Sequence, residues 1–280
     1  MALQKRTFQP LGYSVSFVTI FASTIILFWA GVAIFGSLMA PYSPSEIVDA
    51  DYFGPMSNAF PFGSDYLGRD VLSRIILGAR FTVGISLCAV LIACFSGVVL
   101  GMSAAVIGGW YDTILSRFLD ALSSIPSKLF GLVMVAAVGS STPILIMLIA
   151  VIYTPGSYRF ARALAVNVNA MDYVTVARVR GERTLYLITQ EILPNITGPV
   201  LADLGLRFVF IVLLLSGLSF LGLGVQPPNA DWGSLVRENI GGLPFAAPAV
   251  LAPCLAIASL TISVNLLIDN LPVKIRDTGE

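Results

Sequence analysis

Ionisable residues within long apolar stretches are the first candidates for function, because a charge at the centre of a bilayer costs roughly 3 kcal/mol and needs a reason to be kept. Lys128, Asp203, Arg207 and Asp269 stand in or close to such stretches. Asp203 and Arg207 share one face of a predicted helix, so a structural ion pair is the simplest interpretation, with solute contact as the alternative. Asp269 falls near the end of its stretch, where its carboxylate can reach water.

Lys128 differs from Asp203 and Arg207 because no oppositely charged residue lies three or four positions away from it. An unpaired ammonium group is tolerated within a membrane span only where water or an anion reaches it. We therefore expect Lys128 to line a path for a transported solute and to favour anionic solutes. Snorkelling to the membrane surface and pairing with another subunit are the alternatives.

The composition argues against enzymatic chemistry. The chain has no His, which removes the commonest general base and the commonest metal ligand. It also has no G-x-x-x-x-G-K-[ST] sequence to cradle a nucleotide phosphate. Cys88, Cys94 and Cys254 stand in apolar runs without the paired spacing of a zinc site or a disulfide framework. We expect no catalytic residue, no metal and no cofactor in this chain.

The apolar stretches themselves predict an all-α integral membrane protein. Of 280 residues, 56% are hydrophobic and 11% are charged. Six stretches are long enough to cross a bilayer at about 20 residues each: Ser14–Met39, Ala79–Ile107, Thr113–Val138, Thr142–Leu164, Ile196–Leu223 and Ala246–Leu271. The third and fourth of these contain Pro126 and Pro155, and interrupted spans usually face a bundle interior or a water-filled path.

One long polar interval, Asp172–Asn195, interrupts the apolar pattern. It predicts a helix over Tyr173–Arg180, a break at Gly181, and a second helix over Arg183–Ile192 that Pro194 ends. The arginines around the break are Arg178, Arg180 and Arg183. Such a segment belongs in water beside the membrane. It either docks onto another protein or rests as an amphipathic hairpin on anionic lipid headgroups.

Lys and Arg residues set the predicted orientation, because cytoplasmic segments carry an excess of them. With six spans both termini share a side with Asp172–Asn195, and this side holds most of the Lys and Arg residues. We expect it to be cytoplasmic, with Tyr42–Asp65 outside. In the same external region, Leu67–Leu77 predicts an amphipathic helix, and Trp232 in the last external loop has the position of an interfacial anchor. The residues expected on the water-facing side of that helix are Arg69, Asp70, Ser73 and Arg74.

The Asp172–Asn195 segment resembles the EAA loop of ABC importer permeases, which reads Glu-Ala-Ala, three residues, Gly, nine residues, Ile, one residue, Leu-Pro. The matching positions are Thr175, Val176, Ala177, Gly181, Glu191, Leu193 and Pro194. The family's Glu, first Ala and Ile are absent, whereas its second Ala, its Gly and its Leu-Pro are present at the family's spacing. Two further stretches, Phe62–Arg80 and Leu218–Leu235, resemble the hallmarks of the dipeptide/oligopeptide subfamily.

The resemblance implies a type I ABC importer permease with six transmembrane helices in a bacterial cell inner membrane, moving peptides or similar small polar solutes. A second homologous permease, two ATP-binding subunits and an extracytoplasmic solute-binding protein would complete the transporter, with membrane lipid around it. The ATP-binding subunits, and not this chain, would hydrolyse ATP.

The zero formal net charge implies no attraction to nucleic acid.

The resemblance also assigns roles to residues. The ATPase-coupling residues would be Thr175, Val176, Ala177, Arg178, Gly181, Arg183, Leu193 and Pro194. The residues expected on the translocation path are Pro126, Lys128, Asp203 and Arg207.

The predicted domain organisation follows from these spans. It comprises a cytoplasmic N-terminus (residues 1–13), a first transmembrane helix (14–39), an external loop with an amphipathic helix (40–78), a five-helix permease core (79–272) and a cytoplasmic tail (273–280). The core includes the cytoplasmic coupling loop at 165–195 and an external loop at 224–245. The alternative is an ion-coupled secondary transporter whose cytoplasmic hairpin rests on lipid. Such transporters commonly show inverted repeats, and no internal repeat is visible in this sequence.

Overall fold

The computed structural model describes residues 17–49, 51–245 and 247–270. The described chain folds into α1 (Phe17–Met39), α2 (Val71–Ile107), α3 (Gly109–Ser123), α4 (Ser127–Val138), α5 (Thr142–Asn169), α6 (Asp172–Val179), α7 (Thr184–Tyr186), a π-helix (Leu187–Ile192), α8 (Leu193–Phe220), α9 (Trp232–Glu238), a 3₁₀-helix (Ile240–Phe245) and α10 (Pro248–Asp269). The predicted all-α membrane architecture is confirmed. The predicted cytoplasmic termini, 1–13 and 273–280, and the predicted span ends Ser14, Ala246 and Leu271 lie outside the described residues.

The predicted spans correspond to five long apolar helices and one broken pair. Within the described residues, α1, α2, α5, α10 and the helical run Thr184–Phe220 are each long and apolar enough to cross a membrane. Helices α3 and α4 would cross it only together, because the chain bends by 83° between them. Pro126 stands at this break, where it disfavours helical geometry for the residue before it. The third predicted span is therefore not one straight helix.

Helix α2 is the longest α-helix among the described residues. Its 37 residues extend about 55 Å at 1.5 Å per residue. Helix α5 runs parallel to it at very short range: a Cβ added to Gly97 would lie 2.7 Å from the amide nitrogen of Tyr158, and one added to Gly101 would lie 2.8 Å from that of Arg162. The two glycines allow this contact because they present no side chain between the backbones.

The N-terminal end of α2 differs from the prediction. The predicted amphipathic helix at Leu67–Leu77 is not a separate element, because α2 begins at Val71 and continues into the second span. Asp70 caps it by accepting a hydrogen bond from the Ser73 amide at 2.8 Å. The four polar residues expected to face water are instead buried: Arg69, Asp70, Ser73 and Arg74. Ion pairs and capping hydrogen bonds make this burial tolerable.

Helix α9 folds back into the bundle and packs against α2, α8 and α10. Trp232 at its start is fully buried, so the predicted interfacial position of this residue is wrong. Its indole Nε1 donates to the Ile75 carbonyl at 3.0 Å, and its ring meets Trp29 edge to face with centroids 4.7 Å apart. An indole can lie this deep because its N–H group has a partner there.

Candidate functional site

The turn at Gly181 separates α6 from the next helix and has a φ of 84°. The Glu182 amide donates to the Ala177 carbonyl at 3.2 Å and the Gly181 amide to the Arg178 carbonyl at 3.0 Å, and this pair of bonds is a Schellman motif. A Cβ added to Gly181 would meet nothing within 4 Å. Glycine is therefore needed here for its left-handed backbone, and not for close approach of the helices.

Apolar packing holds α6 against the bundle. Val174 and Ala177 on α6 are buried together with Leu187 of the π-helix. They pack on Val106 and Val168, which lie near the C-terminal ends of α2 and α5. The segment 172–195 consequently lies at one end of the bundle, at the far end of α2 from Asp70.

A short chain of hydrogen bonds adds to this anchorage. Arg178 Nη2 donates to Asn169 Oδ1 at 2.9 Å, and Asn169 Nδ2 donates to the Ala105 carbonyl at 3.0 Å. Arg178, which was expected to contact an ATPase, thus already bonds to the end of α5. Asn169 was not among the predicted site residues, because a lone Asn at the end of an apolar helix gives no signal of such a bridge.

Pro194 does not end the second helix, contrary to the prediction. The chain stays helical from Thr184 to Phe220 and passes through a π-helix just before Leu193. Proline lacks an N–H group, and its ring clashes with the carbonyl four residues back in an α-helix. The wider π turn, in which the Leu193 amide donates to the Ile188 carbonyl, accommodates this conflict. The segment is therefore continuous with the fifth predicted span.

The outer surface of the segment combines apolar and basic side chains. Val179 is 85% exposed, Leu185 71% and Val176 49%. Arg180 and Arg183 are also exposed, on either side of Gly181. Among the predicted coupling residues, those exposed are Thr175, Val176, Arg178, Gly181, Arg183 and Pro194, whereas Leu193 is half-buried and Ala177 is buried. Several exposed apolar side chains within one short segment are typical of surfaces that contact a protein or a membrane.

A cavity of about 230 Å³ lies at the break between α3 and α4. Pro126 and Ser127 line it at the break, Tyr153 and Arg159 line it from α5, and Arg207 lines it from the middle of α8. Non-helical backbone at membrane depth is tolerated only inside protein or beside a water-filled cavity. The break between α3 and α4 lies beside such a cavity, which makes its non-helical backbone tolerable within a predicted span.

Of the four predicted path residues, two form the predicted ion pair. Arg207 Nε donates to Asp203 Oδ2, and the side chains are 15% and 11% exposed. Lys128 is exposed in the first turn of α4 and does not line the cavity. The described residues give it no hydrogen-bond or ion-pair partner. The structure thus brings Pro126 and Arg207 together at one cavity and leaves Lys128 beside it.

A buried ion cluster at the N-terminal end of α2 was not predicted. Arg74 Nη1 lies 2.7 Å from Asp65 Oδ2 and 2.9 Å from Glu238 Oε2, and Arg69 binds the same two carboxylates at 2.7 and 2.8 Å. Burial opposes the charge on Arg69, but the two carboxylates outweigh it and raise the pKa of the guanidinium. The spacing of Asp65 and Arg69 could have indicated one pair. Nothing in the sequence connects either residue to Glu238 on α9.

The chain is similar to a family of transport proteins. A family model described as binding-protein-dependent transport system inner membrane component matches residues 97–277. That range contains the segment 172–195, the cavity at the α3–α4 break and helix α9.

Curated relatives extend the similarity to most of the chain. The dipeptide transport system permease protein DppC of Haemophilus influenzae is 34% identical over 252 residues, which cover 88% of this chain and 85% of that protein. The di/tripeptide transport system permease protein DppC of Pseudomonas aeruginosa is 34% identical over 245 residues, covering 85% and 81%. The glutathione transport system permease protein GsiD of Pectobacterium atrosepticum is 30% identical over 256 residues, covering 91% and 85%.

Proposed function

This chain belongs to the binding-protein-dependent transport system inner membrane component family, and from that premise we propose that it is the permease subunit of an ATP-driven importer of peptides or similar small polar solutes. A second homologous permease, two ATP-binding subunits and an extracytoplasmic solute-binding protein complete the transporter. The ATP-binding subunits hydrolyse ATP. This chain forms half of the translocation path.

The observation that carries the proposal is the exposed and firmly anchored segment at 172–195. Buried Val174 and Ala177 fix α6 to the bundle, while Val179 and Leu185 face outward beside Arg180. A surface that is anchored to the bundle and exposes apolar side chains can bind a soluble protein and transmit its movement to the bundle. A hairpin resting on lipid would not need the Schellman turn and the hydrogen bonds that fix its orientation.

The continuity of the helix after Gly181 supplies a route for mechanical coupling. The run from Thr184 to Phe220 is helical over 37 residues, and α8 packs against α9 in the bundle. A partner that displaces α6 and α7 therefore moves one end of this continuous helical run. Rigid-body movement of the run changes the packing at the opposite end of the bundle, and in this proposal ATP binding opens the path to the delivered solute in this way.

A cavity beside α6 can receive a side chain of the ATPase. It measures about 290 Å³ and is lined by Tyr173, Val176, Arg180, Tyr186 and Glu191. Its walls come from both sides of Gly181, so a side chain inserted there contacts α6 and the following helix at once. The coupling residues Thr175 and Arg183 stand at the edge of this surface.

The translocation path runs past the break between α3 and α4. Pro126 and Arg207 line the cavity there, Asp203 positions Arg207, and Lys128 stands at its edge. Two observations support this placement: the cavity lies at the bend between the two helices of a broken span, and its lining includes two arginines, which are costly to keep within a span.

The proposed orientation places the segment 172–195 in the cytoplasm and the loop Tyr42–Asp65 outside, in a bacterial inner membrane. The concentration of arginine around Gly181 supports it, because cytoplasmic segments carry the excess of Lys and Arg. The loop Tyr42–Asp65 and the segment lie at opposite ends of α2, as this orientation requires.

Reconstitution tests the proposed function. The chain, co-expressed with its partner subunits, is expected to co-purify with ATP-binding subunits and to support ATP-dependent uptake of a labelled dipeptide into vesicles. Uptake that proceeds without ATP and follows an ion gradient would contradict the proposal and favour a secondary transporter.

A further inference from the structure

The cavity at the α3–α4 break has a one-sided charge distribution. Arg159 and Arg207 contribute guanidinium groups to its lining, and the described residues that line it include no acidic side chain. The carboxylates of Asp203 and Asp120 lie near these arginines but outside the lining. A solute in the cavity therefore meets cationic donors and no carboxylate.

Arg207 is held in place by one of its nitrogens, and its other N–H groups remain available as hydrogen-bond donors. Its Nε bonds to Asp203, and within the described chain Nη1 and Nη2 have no hydrogen-bond partner. A Cβ added to Gly156 would lie 2.5 Å from Nη1, so the glycine makes the space that the guanidinium occupies. Two parallel N–H donors on a planar group match the two oxygens of a carboxylate.

Arg159 lines the same cavity and is less constrained than Arg207. Its Nη2 donates to Ser123 Oγ at 3.2 Å, and its Nη1 lies 3.8 Å from Asp120, with the Arg159 side chain 57% exposed. A long contact between exposed charges contributes little, so this guanidinium can turn to an anion in the cavity at low cost.

The remaining walls limit what else can bind. Ile125, Phe130 and Ile152 supply an apolar surface beside the arginines. A volume of about 230 Å³ is below the range of sites that enclose a whole drug-sized ligand, so the cavity suits one end of a small solute. The arrangement fits a carboxylate that carries a short apolar group.

We propose that this cavity is a subsite for the carboxylate of the transported solute, with Arg207 as the bidentate donor, Asp203 as its positioning residue and Arg159 as the second cation. The inference rests on the proposed transport function and adds the ligand chemistry of one place on the path. It also explains why an ion pair is kept in the middle of α8, where charge is costly.

A chemical protection experiment tests the subsite. Ser127→Cys is introduced after Cys88, Cys94 and Cys254 are replaced by Ser, and the complete transporter is placed in vesicles. The rate of thiol modification by a methanethiosulfonate reagent is measured with L-alanyl-L-alanine or its C-terminal amide present. The free acid is expected to slow modification about three-fold at about twice its Kd, and the amide is expected to have little effect.

The decisive variant is Asp203→Asn with Arg207→Gln. Both members of the pair are changed because Arg207→Gln alone would leave a buried carboxylate without its partner, which can prevent folding. The double variant should lose protection by the free acid, whereas Arg80→Gln, which changes an exposed arginine of α2 outside the cavity lining, should retain it. Equal effects of acid and amide, no protection by either, or protection that survives in the double variant would each overturn the subsite.

This result is separable from the proposed function. The protection experiment requires neither ATP hydrolysis nor uptake. If wild-type vesicles show ATP-dependent dipeptide uptake but no selective protection, the subsite is wrong and the importer stands. If uptake is independent of ATP while selective protection is present, the importer is wrong and the carboxylate subsite stands.

Discussion

Arg178 on α6 donates a hydrogen bond to Asn169 at the end of α5, with Nη2 and Oδ1 2.9 Å apart. Asn169 in turn donates to the Ala105 carbonyl on α2 at 3.0 Å. One amide side chain therefore ties the segment 172–195 to both long parallel helices of the bundle. A displacement of α6 would therefore be transmitted to α2 and α5 through this bridge, as well as to α8.

The bridge predicts a local change in dynamics. Asn169→Ala removes both hydrogen bonds, which together we value at about 1 kcal/mol, so amide hydrogen exchange across residues 174–180 should accelerate about five-fold. Arg178→Ala should have a smaller effect because its side chain is exposed. Arg183→Ala is the control, since among the described residues the Arg183 side chain has no hydrogen-bond or ion-pair partner. Equal exchange in all three variants would show that packing alone holds α6.

The buried ion cluster predicts a large loss of stability on removing one cation. Arg74 is 4% exposed and bonds to both Asp65 and Glu238. Arg74→Met leaves these carboxylates with Arg69 only, and breaking a buried pair costs about 3 kcal/mol. Thermal unfolding in detergent measures the effect. Arg80→Met, an exposed arginine on the same helix, should leave the unfolding temperature nearly unchanged. A similar small shift for both would mean that the cluster is solvated.

The features that the sequence predicted correctly depend on local patterns. Five of the six spans follow from apolar length, the pair Asp203–Arg207 follows from helical spacing, and the break at Gly181 follows from a glycine between two helical stretches. Each can be derived from neighbouring residues alone. Pro194 shows the limit of this logic: a proline usually ends a helix, but a π turn lets this one stand within it.

The largest group of features that the sequence could not predict depends on α9. This helix returns to the bundle and brings Trp232 to Trp29 and Glu238 to Arg69 and Arg74. These partners are far apart along the chain, and neither composition nor periodicity records which of them meet. The polar residues at the start of α2 therefore looked like a water-facing surface, although paired charges allow them to be buried.

The cap of α9 predicts a pH-dependent difference between two variants. Asp231 accepts hydrogen bonds from the Gly233 and Ser234 amides, both at 3.3 Å, and burial raises the pKa of its carboxyl above the ordinary value of 3.8. The folded state then holds this proton more tightly than the unfolded state. The free energy of unfolding accordingly falls as pH rises from about 4 through the raised pKa.

Asp231→Asn keeps an acceptor for the cap and removes this titration, so its stability relative to wild type should improve as pH rises from about 4 to 7. Asp231→Ala loses the cap and should be less stable than the Asn variant by about 1 kcal/mol at every pH. Unfolding curves at several pH values measure both effects. A constant difference between wild type and Asp231→Asn across this range would contradict the raised pKa.

Lys128 predicts a charge dependence of transport. The side chain is exposed in the first turn of α4, beside the cavity that Pro126 lines. If its ammonium group faces the path, Lys128→Met and Lys128→Gln should each lower ATP-dependent uptake of a dipeptide a few-fold without lowering the amount of assembled transporter. Lys128→Arg keeps the charge and should retain more uptake. Wild-type uptake in both neutral variants would show that Lys128 does not serve transport.

We expect substitutions at Gly181 to affect coupling to the ATP-binding subunits through the backbone conformation, and not through the size of the new side chain. Its φ of 84° is strained for a β-branched residue, whereas Asn adopts left-handed backbone more readily. A side chain at this position meets nothing within 4 Å, so Val and Asn differ here through the backbone and not through a clash. Gly181→Val costs about 1–3 kcal/mol in the native turn and therefore favours a rearranged one, in which α6 and α7 are misplaced.

Gly181→Val should therefore remain in the membrane but bind the ATP-binding subunits about tenfold more weakly, or hydrolyse ATP without stimulation by solute, as expected for a penalty of about 1.4 kcal/mol. Gly181→Asn should stay close to wild type in both properties. Co-purification and solute-stimulated ATPase activity in reconstituted vesicles measure the two effects. If Gly181→Val keeps normal association and stimulation, the segment 172–195 is not the coupling element, and a hairpin resting on lipid headgroups becomes the better description.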